Sequence, residues 1–122
     1  PGDLWNSRWP GCGKRLVNRV VPLDPLPPLC ECGAMLRPNI VWFGEALPSA
    51  VLVRAWEASE QANLFLVVGT SALVHPAASL PLVAARSGAR VVEVNLEPTA
   101  ITEHADVAIT GAAGEILPQL LG

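Results

Sequence analysis

The chain has 122 residues, a length that fits a single domain. Its net charge of −3, with the basic residues scattered rather than clustered, argues against a nucleic-acid footprint. Its apolar runs are strand-length and broken by Gly, Pro or charge, which argues against a membrane span. The hydrophobic fraction is 51% and the mean hydropathy is +0.39, both high for an ordinary domain. Strands buried on both faces of a parallel sheet give such an excess, and so does a piece of a larger protein whose interface has lost its partner. There is no initiator Met and no visible signal peptide, so the chain reads as if it begins in mid-domain. Three cysteines do not make a disulfide framework; metal ligation or reduced thiols in a cytoplasmic protein fit better.

Residues 1–36 read as a loop-rich, cysteine-bearing module. Pro10, Pro22, Pro25, Pro27 and Pro28 leave little room for helix, and one short strand is predicted at 17–21. Residues 37–122 alternate strand and helix patterns. An extended apolar strand is predicted at 40–43, opened by Arg37-Pro38 and closed by Gly44. Such a strand is either buried core or an edge that accepts an extended peptide. Residues 48–61 have Val51, Leu52, Ala55 and Trp56 spaced for one helix face. A continuous apolar strand follows at 64–68. Residues 76–87 read as helix, with Pro76 suited to the first turn and Gly88 to the C-terminal cap; Pro81 inside the stretch either argues against one continuous helix or implies a kink. Strands at 90–94 and 107–110 and a short helix at 113–121 complete the chain. The pattern predicts an α/β fold, a partial Rossmann-type parallel sheet with helices, preceded by a small irregular cysteine-bearing module.

Three successive strand ends carry residues suited to a ligand. Gly69-Thr70-Ser71 offers backbone N–H groups and hydroxyls that can hold ribose or phosphate oxygens, or that merely turn the chain. Asn95-Leu96-Glu97 ends the next strand, where polar groups meet a ligand in the sheet's crevice. Gly111-Ala112-Ala113 ends the third with small residues, which permit close approach of a flat ring or simply tight packing. His75 and His104 lie in loops and read as surface residues.

Taken together, Cys30 and Cys32, the run Leu36-Arg37-Pro38-Asn39-Ile40-Val41-Trp42-Phe43-Gly44-Glu45 and the strand ending Gly69-Thr70-Ser71 resemble the sirtuins, the NAD-dependent protein deacylases. The likeness is greatest to their bacterial and mitochondrial class III branch and covers the later part of the catalytic domain. It implies NAD as co-substrate and an acylated lysine peptide as substrate, with the acyl group passing from lysine to ADP-ribose and nicotinamide released. It also implies that Gly69, Thr70, Ser71, Asn95, Leu96, Glu97 and Ala113 contact the adenosine half of NAD. By the same likeness Val41, Trp42, Phe43 and Gly44 pair with the peptide by β-addition. Cys12, Cys30 and Cys32 match the family's structural zinc site, normally four thiolates, which implies that the small irregular module is zinc-ribbon-like.

Two departures accompany the match. Trp9 stands where the first zinc cysteine belongs, and the second pair is Cys-x-Cys rather than Cys-x-x-Cys. The opening Pro1-Gly2-Asp3-Leu4 keeps the register of the family's catalytic His-Gly but places Pro1 on the histidine. That histidine serves the family as general base on a ribose hydroxyl, and a proline side chain has no titratable group. The family's glycine-rich pyrophosphate loop and nicotinamide pocket are expected upstream of residue 1. The expectation is therefore a catalytically incompetent fragment of a deacylase; a non-catalytic ADP-ribose-binding or structural α/β module is the alternative.

Overall fold

A computed structural model of the chain describes residues 2–122 and resolves into two compact units, one running to Pro48 and the other Ser49–Gly122. Pro1, which the resemblance aligns with the general base, lies outside the described residues. The partial parallel α/β sheet and the separate cysteine-bearing unit are both present, as the sequence predicts.

The first unit is an antiparallel sheet of β1 (Gly2–Arg8), β2 (Arg15–Val17) and β3 (Arg37–Ile40), in the order β2-β1-β3. β1 pairs with β3 in two short stretches, and the register jumps between Asp3 and Ser7. The carboxylate of Asp3 stabilises the bulge by accepting from Trp5 N at 2.9 Å and from Asn6 Nδ2 at 2.7 Å. Pro38, which has no N–H to give the ladder, lies at the same jump.

Two strand expectations need correction here. The strand predicted at 17–21 lies at Arg15–Val17, because Asn18 captures the N–H of Val20 at 2.9 Å and turns the chain. The strand predicted at 40–43 lies at Arg37–Ile40, and residues 42–45 form a tight turn instead. Because β3 pairs with β1, the compact unit runs to Pro48, past the composition shift at residue 37.

The second unit holds α1 (Ser49–Glu60), β4 (Leu64–Val68), α2 (Leu80–Arg86), β5 (Arg90–Asn95), β6 (Val107–Thr110) and α3 (Ala113–Leu121). The three strands are parallel in the order β4-β5-β6. β5 is the central strand, with Val91 and Val94 fully buried, and Val91 packs with Val67, Ile101, Phe65 and Leu82. Pro81 does not kink a long helix. The segment is divided into a 3-10 turn (Ala77–Ser79) and α2, with Pro81 in the first turn of α2, where a missing N–H costs nothing. α2 ends in a Schellman motif: Ala89 N donates to Ala84 O and Gly88 N to Ala85 O, with Gly88 at φ +95°.

No helix among the described residues is long and apolar enough to cross a membrane. The core of the second unit is small, so Val91 carries much of it. Val91→Ala should lower the unfolding free energy by roughly 1–3 kcal/mol, read from urea denaturation; an unchanged midpoint would show that β5 is not packed as described.

Candidate functional site

The carboxyl ends of β4 and β5 open into one cleft of ≈ 570 Å³, bounded by Gly69, Thr70 and Ser71 on one side and 95–100 on the other. Gly69 takes φ +59° and donates its N–H to Val94 O at 3.0 Å, so the chain leaves β4 toward β5. The next turn holds Ala72 at φ +52°, a left-handed conformation uncommon for a residue with a Cβ. Thr70 Oγ1 supports this turn by accepting from Ala72 N at 3.2 Å.

Asn95 joins the two walls. Its Nδ2 donates to Thr70 O at 2.6 Å, and its Oδ1 accepts from Leu96 N at 3.0 Å. The side chain thus shapes the cleft while keeping one N–H and one lone pair for a ligand. Gly69, Thr70, Ser71, Asn95, Leu96 and Glu97 are therefore brought together. Ala113 is not among the lining residues; it opens α3, just after Gly111, whose N–H donates to Asn95 O at 2.9 Å. Sequence reasoning missed Leu73, Pro98, Thr99 and Ala100, which also line the cleft and carry no motif. It also missed Glu93, although a lone charge inside the apolar run Val91-Val92-Glu93-Val94 was a legible signal.

In the first unit, Val41, Trp42, Phe43 and Gly44 follow β3. Glu45 N donates to Trp42 O at 3.1 Å and Gly44 has φ +83°, the geometry of a type II turn. Arg37 clamps it with two bonds to the Glu45 carboxylate, at 2.5 and 3.0 Å, while its guanidinium lies 5.8 Å from the Trp42 ring centroid. These bonds, followed by the Trp42 N–H, hold the Glu45 pKa down at about 2. Phe43 at the tip is 92% exposed and Trp42 51%.

Two further turns present the thiols. Cys12 lies in the β1–β2 connection, where Trp9 N donates to Lys14 O and Gly13 N to Trp9 O. Cys30 and Cys32 lie in a second turn, where Cys30 N donates to Ala34 O and Gly33 N to Cys30 O. Each turn bends at a Cys-Gly pair, with Gly13 at φ +70° and Gly33 at +79°. The three sulfurs lie within 4.8 Å of one another, with Cys12 and Cys30 3.6 Å apart. Thiolates at about 2.3 Å from a tetrahedral zinc are separated by about 3.8 Å, so these three fit three of its four vertices. No His, Cys, Asp or Glu among the described residues supplies the fourth. Trp9 cannot, because an indole N–H only donates. The Cys32 backbone N–H holds the Cys30 thiol below its ordinary pKa. At Cys32 the Ala34 N–H favours the thiolate, but the Cys30 hydrogen bond and desolvation outweigh it and the pKa is raised.

Two outcomes follow from this geometry. Protein purified without chelator should contain zinc well below one equivalent, and Trp9→Cys should raise it by closing the shell. Full occupancy in the parent, by metal analysis, would mean that another donor completes the site. For the Arg37–Glu45 clamp, the folded pKa lies below the ordinary 4.5, so its stabilisation is complete above that value and is lost as pH falls through about 2. An NMR titration of the Glu45 carboxyl should have its midpoint near 2 and shift upward in Arg37→Met; a midpoint indifferent to the substitution would contradict the clamp.

Comparison with known proteins places this geometry in a family. The Sir2 family model matches residues 3–76. NAD-dependent protein deacylase 2 of Pyrobaculum aerophilum is 49% identical over 121 residues, covering 98% of this chain and 48% of the relative. An NAD-dependent protein deacylase of Mycobacterium leprae is 53% identical over 116 residues, covering 95% of this chain and 48% of the relative. Among solved structures, a Sir2 homologue in complex with NAD superposes with a TM-score of 0.91 at 42% identity, covering 98% of this chain and 47% of that one. A Sir2 protein bound to a propionylated peptide gives 0.89 at 36% identity, with 98% and 52% covered. The chain spans about half the length of the curated relatives it matches. On the match of the family model to more than half of its residues, the chain belongs to the Sir2 family.

Proposed function

We propose that this chain supplies the adenosine-binding part of an NAD-dependent protein-lysine deacylase, together with a peptide-facing turn and a structural metal module. The observation that carries the reading is the single cleft joining Gly69-Thr70-Ser71 to Asn95-Leu96-Glu97. The Thr70 and Ser71 hydroxyls accept or donate at ribose and adenine, the Glu97 carboxylate accepts, and Asn95 holds the walls at a fixed spacing. Ala113, which the family likeness assigns to the same half of NAD, opens α3 and does not line the cleft in this structure. Relatives named as NAD-dependent protein deacylases, and a Sir2 homologue solved with NAD, support NAD or ADP-ribose as the ligand.

The Val41-Trp42-Phe43-Gly44 segment, exposed from Trp42 onward, takes part in binding the acylated lysine peptide, a reading supported by the Sir2 protein solved with a propionylated peptide. Cys12, Cys30 and Cys32 would hold zinc through three thiolates and at partial occupancy, where it would tie the two turns together and take no part in chemistry. Unbridged thiols fit the reducing cytoplasm. The net charge of −3 with scattered basic residues gives no electrostatic footprint for nucleic acid.

We infer that the chain by itself is catalytically incompetent, because the register of the family resemblance puts Pro1 where the family has its general-base histidine. Loss of a general base alone costs about 10²–10⁴-fold in rate. Pro1 also supports a second reading, a non-catalytic module that binds ADP-ribose. Calorimetric titration with ADP-ribose, beside a deacylation assay with NAD and an acylated peptide, tests both. Weak saturable ADP-ribose binding with no turnover is expected. Turnover by the 122-residue chain would overturn the incompetence, and failure to bind at millimolar ADP-ribose would remove the adenosine site.

A further inference from the structure

Glu93 is 2% exposed at the middle of the central strand, yet it makes no ion pair among the described residues. Its carboxylate is held by two threonines beyond the strand end. Thr99 Oγ1 donates to Oε1, and Thr102 Oγ1 donates to Oε2 at 2.5 Å. Each hydroxyl is used twice. Thr102 Oγ1 also accepts from Thr99 N at 2.7 Å, and Thr99 Oγ1 from Ile101 N at 3.1 Å. The result is a closed clip: one buried acid, two hydroxyls and two backbone N–H groups, with Ile101 at 3% exposure inserted in the core beside it.

The clip anchors the segment that forms one wall of the cleft. Residues 96–100 run from the end of β5 to the clip and line the cleft opposite Gly69-Thr70-Ser71. Asn95 fixes the near end of this segment on Thr70 O, and the clip fixes the far end through Thr99. An apolar side chain of the same shape would fill the β5 position without the cost of burying a carboxyl. What the acid adds is direction: it orients both hydroxyls, and through them the backbone path of the wall.

We propose that Glu93 is a positioning residue for ligand binding, setting the spacing of the adenosine cleft through Thr99 and Thr102 without touching the ligand. This rests on the reading of the cleft as an ADP-ribose site.

The test compares ADP-ribose affinity, by NMR titration, for the parent chain, Thr102→Val and Thr102→Ser. Valine keeps the shape and removes the hydroxyl, while serine keeps the hydroxyl. Loss of this buried hydrogen bond should weaken binding by about 10-fold in Thr102→Val, with Thr102→Ser close to the parent and the amide signals of Val67 and Val91 unchanged in both. Should Thr102→Val fail to fold, Glu93→Gln, which also keeps its shape, takes its place with the same expected weakening. Parent and hydroxyl-free variant binding equally well, with only thermal stability reduced, would reduce Glu93 to a structural residue and overturn the proposal. A parent chain that does not bind would overturn the cleft assignment itself, and the positioning role with it; the parent titration alone distinguishes that failure.

Discussion

The second unit depends on the pairing of β5 between β4 and β6. A central strand must bury both faces, and Val91 and Val94 do so almost completely. Side chains alternate along a strand, so Val91, Glu93 and Asn95 share one face. That single row supplies a core contact, a buried acid and an amide at the strand end. Parallel pairing also sets β4 and β5 to end side by side, which is why Gly69-Thr70-Ser71 and Asn95-Leu96-Glu97 meet in one cleft. The site follows from strand direction and register before any particular ligand is considered.

The first unit is organised differently. Its strands are short and irregular, and much of its order comes from local polar devices: the Asp3 carboxylate at the bulge, the Asn18 side chain after β2 and the Arg37–Glu45 pair at the turn. The two thiol-bearing turns are linked by an exposed Lys14–Glu31 pair at 3.8 Å, which contributes little. A metal shared by Cys12, Cys30 and Cys32 would be a far stronger link between the two turns.

The strands of the parallel sheet were legible because continuous apolar runs bounded by Gly, Asn and Pro have few other solutions at that length. The Gly-Thr-Ser and Asn-Leu-Glu ends were legible because the fold class itself places such residues at a crevice. β1 was not, since Gly-Asp-Leu-Trp-Asn-Ser-Arg shows no alternation and is extended only because β2 and β3 pair with it. The shift of β3 to Arg37–Ile40 has a similar origin: Arg37 reaches eight residues along the chain to Glu45, and that contact, unseen by local propensity, folds residues 42–45 into a turn. Pro81 was legible as a break in the 76–87 helix but not as the start of a new one, because nothing local distinguishes a proline that starts a helix from one that bends it. The clip at Glu93 needed coordinates, since its threonines are six and nine residues away.

The ends of β4 and β5 together form one ligand site. Intermolecular nuclear Overhauser contacts from the adenine and ribose protons of ADP-ribose test it most directly. Contacts to Thr70 or Ser71 and, in the same complex, to Leu96 or Glu97 are the predicted result. Contacts confined to residues before Pro48, or to only one of the two strand ends, would contradict it.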